Sequence, residues 1–132
     1  MITLKTLPQA TEQEVFDQVV NHLRDQREKA SGEVGCAYRV GELKCAAGCL
    51  IADDEYKEFM DRGEYIGTIY HGSSWQGLID RNIVPNTHAG LISEFQNLHD
   101  HCEPEDWEVG FERLAEKHNL KYEEKYNGCN FG

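Results

Sequence analysis

Apolar residues recur every three or four positions near the start of the chain, in the segment TEQEVFDQVVNHLRDQREKA. This spacing predicts an amphipathic helix over residues 11–30. Thr11 followed by Glu14 forms a capping box that favours a helix start, and Ser31-Gly32 is expected to end the helix. The predicted buried stripe comprises Val15, Phe16, Val19, Val20 and Leu23.

The same spacing occurs in two segments of the C-terminal half, THAGLISEFQNLHDHC and PEDWEVGFERLAEKHN. The first is expected to be capped by Thr87, and the second to begin at Pro104. Their apolar positions are Leu91, Ile92, Phe95 and Leu98 in the first and Trp107, Phe111, Leu114 and Ala115 in the second. Both segments are therefore predicted to be core helices.

Two shorter helices are predicted between these long ones. Asp53 or Asp54 is a suitable cap for DEYKEFMDR, and Ser73 or Ser74 is a suitable cap for WQGLIDRN. The intervening EYIGTIYHGSS is interrupted by glycine and predicts a loop or a short strand. The tail LKYEEKYNGCNFG is expected to add a strand before it ends in coil.

Alternating residues around Gly41 in GCAYRVGELKCA predict a β-hairpin over residues 35–46. In this prediction Cys36 lies across the hairpin from Cys45 and shares a face with Tyr38, while Arg39 points to the other face. The following CAAGCLI is either a buried strand or one buried helical turn. The sequence thus predicts a single α+β domain over residues 1–132, mainly helical, with about five helices, one small hairpin, a helical remainder over 53–118 and a short tail.

Composition and charge narrow the function classes. The 132 residues include 24 acidic and 13 basic side chains, for a net charge of −11, which repels phosphate backbones and argues against direct nucleic-acid binding. It favours a basic partner. No apolar run reaches the ~20 residues that a bilayer span requires, and no secretory signal is visible, so no membrane contact and a cytoplasmic location are expected.

The five cysteines are expected to be reduced thiols. A four-ligand zinc site can be drawn from Cys36, Cys45 and Cys49 together with His99, His101 and Cys102 of the run HDHC, but the chain lacks the paired C-x-x-C spacing of structural zinc sites, so no metal and no cofactor are predicted. Cys45 and Cys49 lie among Ala and Gly, a setting that raises a thiol pKa and disfavours a nucleophile. No known catalytic motif is present, so a non-enzymatic protein is predicted.

Tyr38, Arg39 and Lys44 place an aromatic ring, a guanidinium and an ammonium on one turn, a combination suited to a phosphate and a base. The alternative is that both cations are solvated and pair with nearby acids. The remaining predicted ligand-binding residues are Asp54, Tyr56, His71 and Trp75.

The segments CAYR, LKCAAGCLI and DDEY, with ATEQEVFDQVVNHLR before them and LAEKHNLKY near the end, resemble a family of small uncharacterised proteins of tailed bacteriophages and prophages. The resemblance is strongest from Thr11 to Tyr56 and from Trp107 to Tyr122. It implies a protein that acts against host defence in the bacterial cytoplasm. One class of such proteins traps nucleotide signals as compact oligomers.

Three functions follow as hypotheses. The first is a non-enzymatic homo-oligomer that sequesters a nucleotide-derived immune signal, such as a cyclic ADP-ribose relative or a cyclic dinucleotide. The second is an acidic inhibitor that docks on a basic surface of a host defence or nucleic-acid-binding protein. The third is a zinc- or cysteine-dependent enzyme.

Overall fold

Helices and small hairpins make up the computed structural model, which describes residues 1–32 and 35–124. The described helices are α1 (Glu12–Gln26), α2 (Trp75–Asp80), α3 (Ala89–His101) and α4 (Trp107–His118). Antiparallel pairs are formed by β1 (Ser31–Gly32) with β2 (Gly35–Cys36), β3 (Arg39–Val40) with β4 (Leu43–Lys44), and β5 (Glu64–Ile66) with β6 (Ile69–His71). The α+β prediction is confirmed.

Helix α1 begins where the capping box predicts but ends four residues early. The Thr11 hydroxyl accepts from the Glu14 N–H, and the Glu14 carboxylate accepts from the Thr11 N–H. Arg27 adopts the left-handed conformation and ends the helix, with its N–H bonded to the Leu23 carbonyl. The chain then turns so that Ala30 is fully buried and donates its N–H to His99. This tertiary contact replaces the last predicted helical turn.

The described residues contain four α-helices rather than five, because DEYKEFMDR forms only a 3₁₀ turn over Glu58–Asp61. Two acids near its predicted start, one of them the predicted cap Asp53, are used elsewhere. Asp53 pairs with Arg39, and the Glu55 carboxylate accepts from the backbone N–H groups of Leu4 and Ala52. The prediction of a single hairpin is also wrong, because EYIGTIYHGSS contributes the β5–β6 pair.

Two predicted caps have different outcomes. Ser74 caps α2 by accepting from the Gly77 N–H at 3.0 Å, as predicted. Thr87 does not cap α3, because His88 occupies the cap position with a left-handed backbone and its ring Nε2 donates to the Ala10 carbonyl at 2.7 Å. A long-range contact to the N-terminal segment therefore replaces a local cap.

The predicted hairpin over residues 35–46 is present, but its register differs from the prediction. Strands β3 and β4 are joined by a turn at Gly41, which has a positive φ of 61°. This turn aligns Tyr38 with Cys45, whose N–H donates to the Tyr38 carbonyl. Cys36 instead pairs with Ser31 in the β1–β2 pair, so the prediction that Cys36 lies across from Cys45 is wrong.

The hydrophobic core lies where α1, α3 and α4 meet. The rings of Phe16 and Phe95 lie 5.5 Å apart, and those of Phe95 and Phe111 lie 6.2 Å apart. Every predicted stripe residue is buried except Leu98, which is half-buried. The ambiguous CAAGCLI segment forms a 3₁₀ turn over Ala47–Leu50 that packs on α1 and α3.

The remaining predictions concern the membrane and the tail. Within residues 1–32 and 35–124, every helix is too short or too polar to cross a bilayer. Residues 121–124 form no strand, and the rest of the predicted C-terminal strand lies outside the described residues.

Candidate functional site

A polar cleft of about 490 Å³ lies between the β2–β3 connection, the start of α2 and one face of α3. It is lined by Cys36, Ala37, Tyr38, Asp61, Ser73, Ser74, Trp75, Gln76, Ser93, Gln96, Asn97 and Asp100. Amides, hydroxyls and two carboxylates dominate this lining, and within residues 1–32 and 35–124 no lysine or arginine belongs to it. The cleft therefore offers hydrogen bonds in a setting of negative charge.

Two aromatic residues form one wall of the cleft. Tyr38 and Trp75 are both buried, and their rings meet edge to face with centroids 6.2 Å apart. The Tyr38 hydroxyl donates to the Ser73 carbonyl at 2.6 Å, and burial raises the pKa of Tyr38, so the phenol stays protonated. The buried indole N–H of Trp75 has no hydrogen-bond partner within the described part of the chain. The wall is thus fixed but retains one unused donor.

Asp61 is held from two sides at the edge of the cleft. Its Oδ1 accepts from the Tyr38 backbone N–H at 2.6 Å, and its Oδ2 accepts from the Tyr56 hydroxyl. Partial burial, together with the bond to Asp61, raises the pKa of Tyr56 to about 12. Tyr56 therefore orients a cleft carboxylate and does not line the cleft itself.

Asp100 is fixed by neighbours that are themselves bonded to the backbone. Its Oδ1 accepts from Gln96 at 2.8 Å and from His99 Nδ1 at 2.7 Å. Gln96 in turn accepts from the Ala47 N–H, and His99 Nε2 accepts from the Ala30 N–H. This chain of bonds gives the cleft a carboxylate of defined orientation.

Cys36, His99 and Asp100 form the one group in the described residues whose potential metal-binding atoms all lie within 4.8 Å of one another. The hydrogen bonds do not fit a metal. Because Ala30 donates to Nε2, the His99 proton lies on Nδ1 and is donated to Asp100, so neither ring nitrogen has a free lone pair. Burial and the charge of Asp100 also raise the pKa of the Cys36 thiol. Of the four cysteines in the predicted zinc set, only Cys36 belongs to this group.

Cys45 is buried in the core, and Cys49 is half-buried and packs against it. The Cys45 sulfur accepts from the Gly48 N–H, and the Cys49 thiol donates to the Ala46 carbonyl, each at 3.2 Å. Burial raises the pKa of Cys45 well above its ordinary value and that of Cys49 to about 12. Both are neutral thiols at physiological pH, so neither is suited to nucleophilic attack.

Arg39 and Lys44 face each other across the β3–β4 pair and share one acid. Arg39 Nη1 lies 2.8 Å and Lys44 Nζ 3.7 Å from Asp53 Oδ1. Arg39 also donates to the Ile51 carbonyl and lies over the Tyr56 ring, with Cζ 5.1 Å from its centroid. Neither cation lines the cleft that contains Tyr38. The structure therefore does not bring the three predicted phosphate-binding residues together around one cavity.

Of the remaining predicted residues, Trp75 lines the cleft, whereas Asp54 lies exposed in a turn and His71 lies opposite Glu64 on β6. Sequence reasoning missed Asp61 and Asp100, because the walls that they face across the cleft come from segments distant in the chain. The only sequence signal was the run HDHC, which includes Asp100.

Searches of known protein families, curated proteins and solved structures found no significant match to this chain.

Proposed function

We propose that this protein is a non-enzymatic, acidic inhibitor that docks on a basic protein surface and receives a lysine or arginine side chain in the polar cleft. The observation that carries this proposal is the lining of the cleft, in which Asp61 and Asp100 are fixed and no lysine or arginine is among the described lining residues. Charge-assisted hydrogen bonds to carboxylates are strong, and a guanidinium can donate to several acceptors at once.

The distribution of charge supports the same proposal. The chain carries a net charge of −11, so a basic partner is attracted at long range. The cations that could have formed a phosphate site are already paired, since both Arg39 and Lys44 contact Asp53. In the single chain these ion pairs compete with a phosphate for both cations, which favours the acidic-inhibitor proposal over phosphate binding.

The identity of the partner rests on the sequence resemblance to small proteins of tailed phages. We propose a host defence protein or a nucleic-acid-binding protein of the bacterial cytoplasm, because such proteins present basic grooves. In this role the acidic chain occupies a surface that would otherwise bind phosphate groups.

A charge introduced at the rim of the cleft tests the proposal. Gln76 is exposed and lines the cleft, whereas Gln9 is exposed elsewhere, so Gln76→Lys and Gln9→Lys change the net charge equally. With an arginine-rich peptide as the probe, we expect Gln76→Lys to weaken binding about tenfold and Gln9→Lys to weaken it much less. Calorimetric titration measures both affinities, and equal effects of the two variants would contradict a role for the cleft.

A second candidate is the sequestration of a nucleotide-derived immune signal. It is favoured by the size of the cleft and by its aromatic and amide lining, which suits a base and a sugar. Because the carboxylates of Asp61 and Asp100 repel phosphate groups, the phosphates of such a nucleotide would lie outside the cleft. The same pair of variants decides between the candidates, because Gln76→Lys should strengthen the binding of an anionic ligand. Thermal-shift measurements with cyclic dinucleotides and ADP-ribose derivatives provide this comparison.

The enzyme hypothesis has the least support. The thiol pKa values of Cys45 and Cys49 are raised, and the bonding of His99 does not suit zinc. Incubation of the nucleotide panel with the protein, followed by chromatography, would reveal any turnover.

A further inference from the structure

The β5–β6 hairpin exposes an unusual concentration of large apolar side chains. Tyr65 is 69% exposed, Ile66 48%, Ile69 63% and Tyr70 58%. The strand register places Ile66 beside Ile69 on one face and Tyr65 beside Tyr70 on the other, because alternate residues of a strand point to opposite faces. Both faces of this hairpin are therefore apolar and uncovered in the single chain.

The base of the hairpin is held firmly by a buried arginine. The Arg81 side chain is 1% exposed and donates to Glu64 Oε1 through Nε at 3.0 Å and through Nη2 at 2.8 Å. It also donates to the backbone carbonyls of Arg62 and Phe59, at 2.7 and 3.1 Å. The hairpin is thus presented in a defined orientation, which lowers the entropic cost of docking.

A second uncovered apolar surface lies on the outer side of α3 and α4. A groove of about 820 Å³ between these helices is lined by Leu98, Cys102, Val109 and Leu114, with a polar rim that includes Glu94 and Arg113. Val109 is 55% exposed. This groove is open and largely apolar, as docking sites for inserted side chains are.

We propose that the β5–β6 hairpin of one copy of this chain docks in the α3–α4 groove of a second copy, and that the exchange is reciprocal. A hairpin that is apolar on both faces is covered best by a groove, and the same chain supplies one. The four side chains expose on the order of 500 Å², judged from the areas that aromatic side chains bury. One such contact falls short of the roughly 800 Å² per partner of a stable interface, whereas two reciprocal contacts reach it.

Charge gives this self-association a distinctive dependence on salt. Each copy carries a net charge of −11, so two copies repel each other at long range. Added salt screens this repulsion beyond a distance of about 8 Å at physiological ionic strength. The dimer should therefore tighten as salt rises, whereas docking on a basic partner should weaken. The two proposals can consequently fail independently.

Sedimentation equilibrium over protein concentrations from about 1 μM to 1 mM tests the dimer, and we expect a monomer–dimer equilibrium in this range. The variants are Tyr65→Ser with Ile69→Ser in the hairpin, and Val109→Asp in the groove. Each should weaken dimerisation about tenfold or more, because apolar anchors dominate interface energies. All replaced residues are exposed, so circular dichroism melting should confirm that each variant is folded.

A mixture of the two variants distinguishes reciprocal docking from other contacts. The groove of the hairpin variant and the hairpin of the groove variant are both intact, so the mixture retains one of the two contacts. It should associate more tightly than either variant alone. A monomeric wild type, a wild type that grows beyond a dimer, a variant that dimerises normally, or a mixture that shows no gain would each overturn the proposal.

Discussion

Asp61 and Asp100 show how the cleft obtains its character from single residues. Each carboxylate accepts two hydrogen bonds: Asp61 from Tyr38 and Tyr56, and Asp100 from two neighbours on its own helix that are themselves bonded to backbone N–H groups outside α3. Such bonds fix a carboxylate before any ligand arrives, so little rotational freedom is lost on binding. The fixed position of these two groups is the reason that a cationic side chain suits the cleft.

His22 gives a prediction at the residue scale. Burial lowers its pKa, and its ring Nε2 donates to the Lys44 carbonyl at 2.9 Å, near the charges of Lys44 and Asp25. The unfolded chain binds the proton of His22 more readily than the folded chain does. The contribution of His22 to stability is therefore complete above a pH of about 6.5 and is lost as the pH falls towards the lowered pKa. His22→Gln should therefore reduce the loss of stability between about pH 7.5 and pH 5.5.

Urea unfolding at the two pH values measures this effect. His101→Gln is the matched control, because His101 is exposed at the end of α3. An equal pH response in the wild type and the His22 variant would show that the burial of His22 does not contribute.

At the scale of elements, the turn Ala47–Leu50 depends on close contact with the β3–β4 hairpin. A Cβ atom on Gly48 would lie 2.3 Å from the Tyr38 carbonyl oxygen, which belongs to the backbone and cannot rotate away. Gly90 in α3 has no atom within 4 Å of the corresponding position. A side chain therefore cannot be added at Gly48 without a steric clash, whereas there is open space for one at Gly90.

Alanine substitutions at these glycines should have opposite effects on stability. We expect Gly48→Ala to lower the free energy of unfolding by about 1–3 kcal/mol through steric overlap. Gly90→Ala should raise it by about 0.5–1 kcal/mol, because alanine favours the helix. Urea unfolding of both variants provides the comparison, and a stable Gly48 variant would mean that the turn and the hairpin can separate without cost.

The elements that the sequence predicted well are those with long apolar periodicity. The three long helices follow from stripes such as Phe16 with Val20, which local physics alone makes helical. The short elements depended on distant partners: Glu55 and Asp53 bind groups far along the chain instead of capping a helix. The cleft was predictable only through Tyr38 and Trp75, since no local pattern reveals that Asp61 and Asp100 face the same cavity.

At the scale of the whole molecule, the described residues form a helical core with small antiparallel pairs attached, of which β5–β6 is the most exposed. The β5 and β6 strands contact mainly each other, and β6 also contacts α2, while α1, α3 and α4 share the aromatic centre. The β5–β6 hairpin therefore lies outside the aromatic centre, whereas the polar cleft and the α3–α4 groove adjoin each other and share Asn97.

Arg81 gives a prediction at this scale. Arg81→Met removes the bonds to Glu64 and to the carbonyls of Phe59 and Arg62, while Arg62→Met is a nearby control at an exposed position. We expect hydrogen exchange at the amides of β5 and β6 to accelerate by about tenfold or more, because bonds to a charged donor are worth about 1.5–3 kcal/mol. Mass spectrometry of peptide fragments measures the exchange rate. An unchanged rate in the Arg81 variant would contradict the role of Arg81 in holding the hairpin.

The bonds of Arg81 also have a consequence for the exposure of the chain to proteases. The carbonyls of Phe59, Arg62 and Gly72 must converge on one guanidinium, and that guanidinium follows them in the chain. Residues 59–72 are therefore held in place by a side chain that follows α2. Loss of these bonds should free the whole segment at once and expose its backbone to a protease, whereas the intact bonds should protect it.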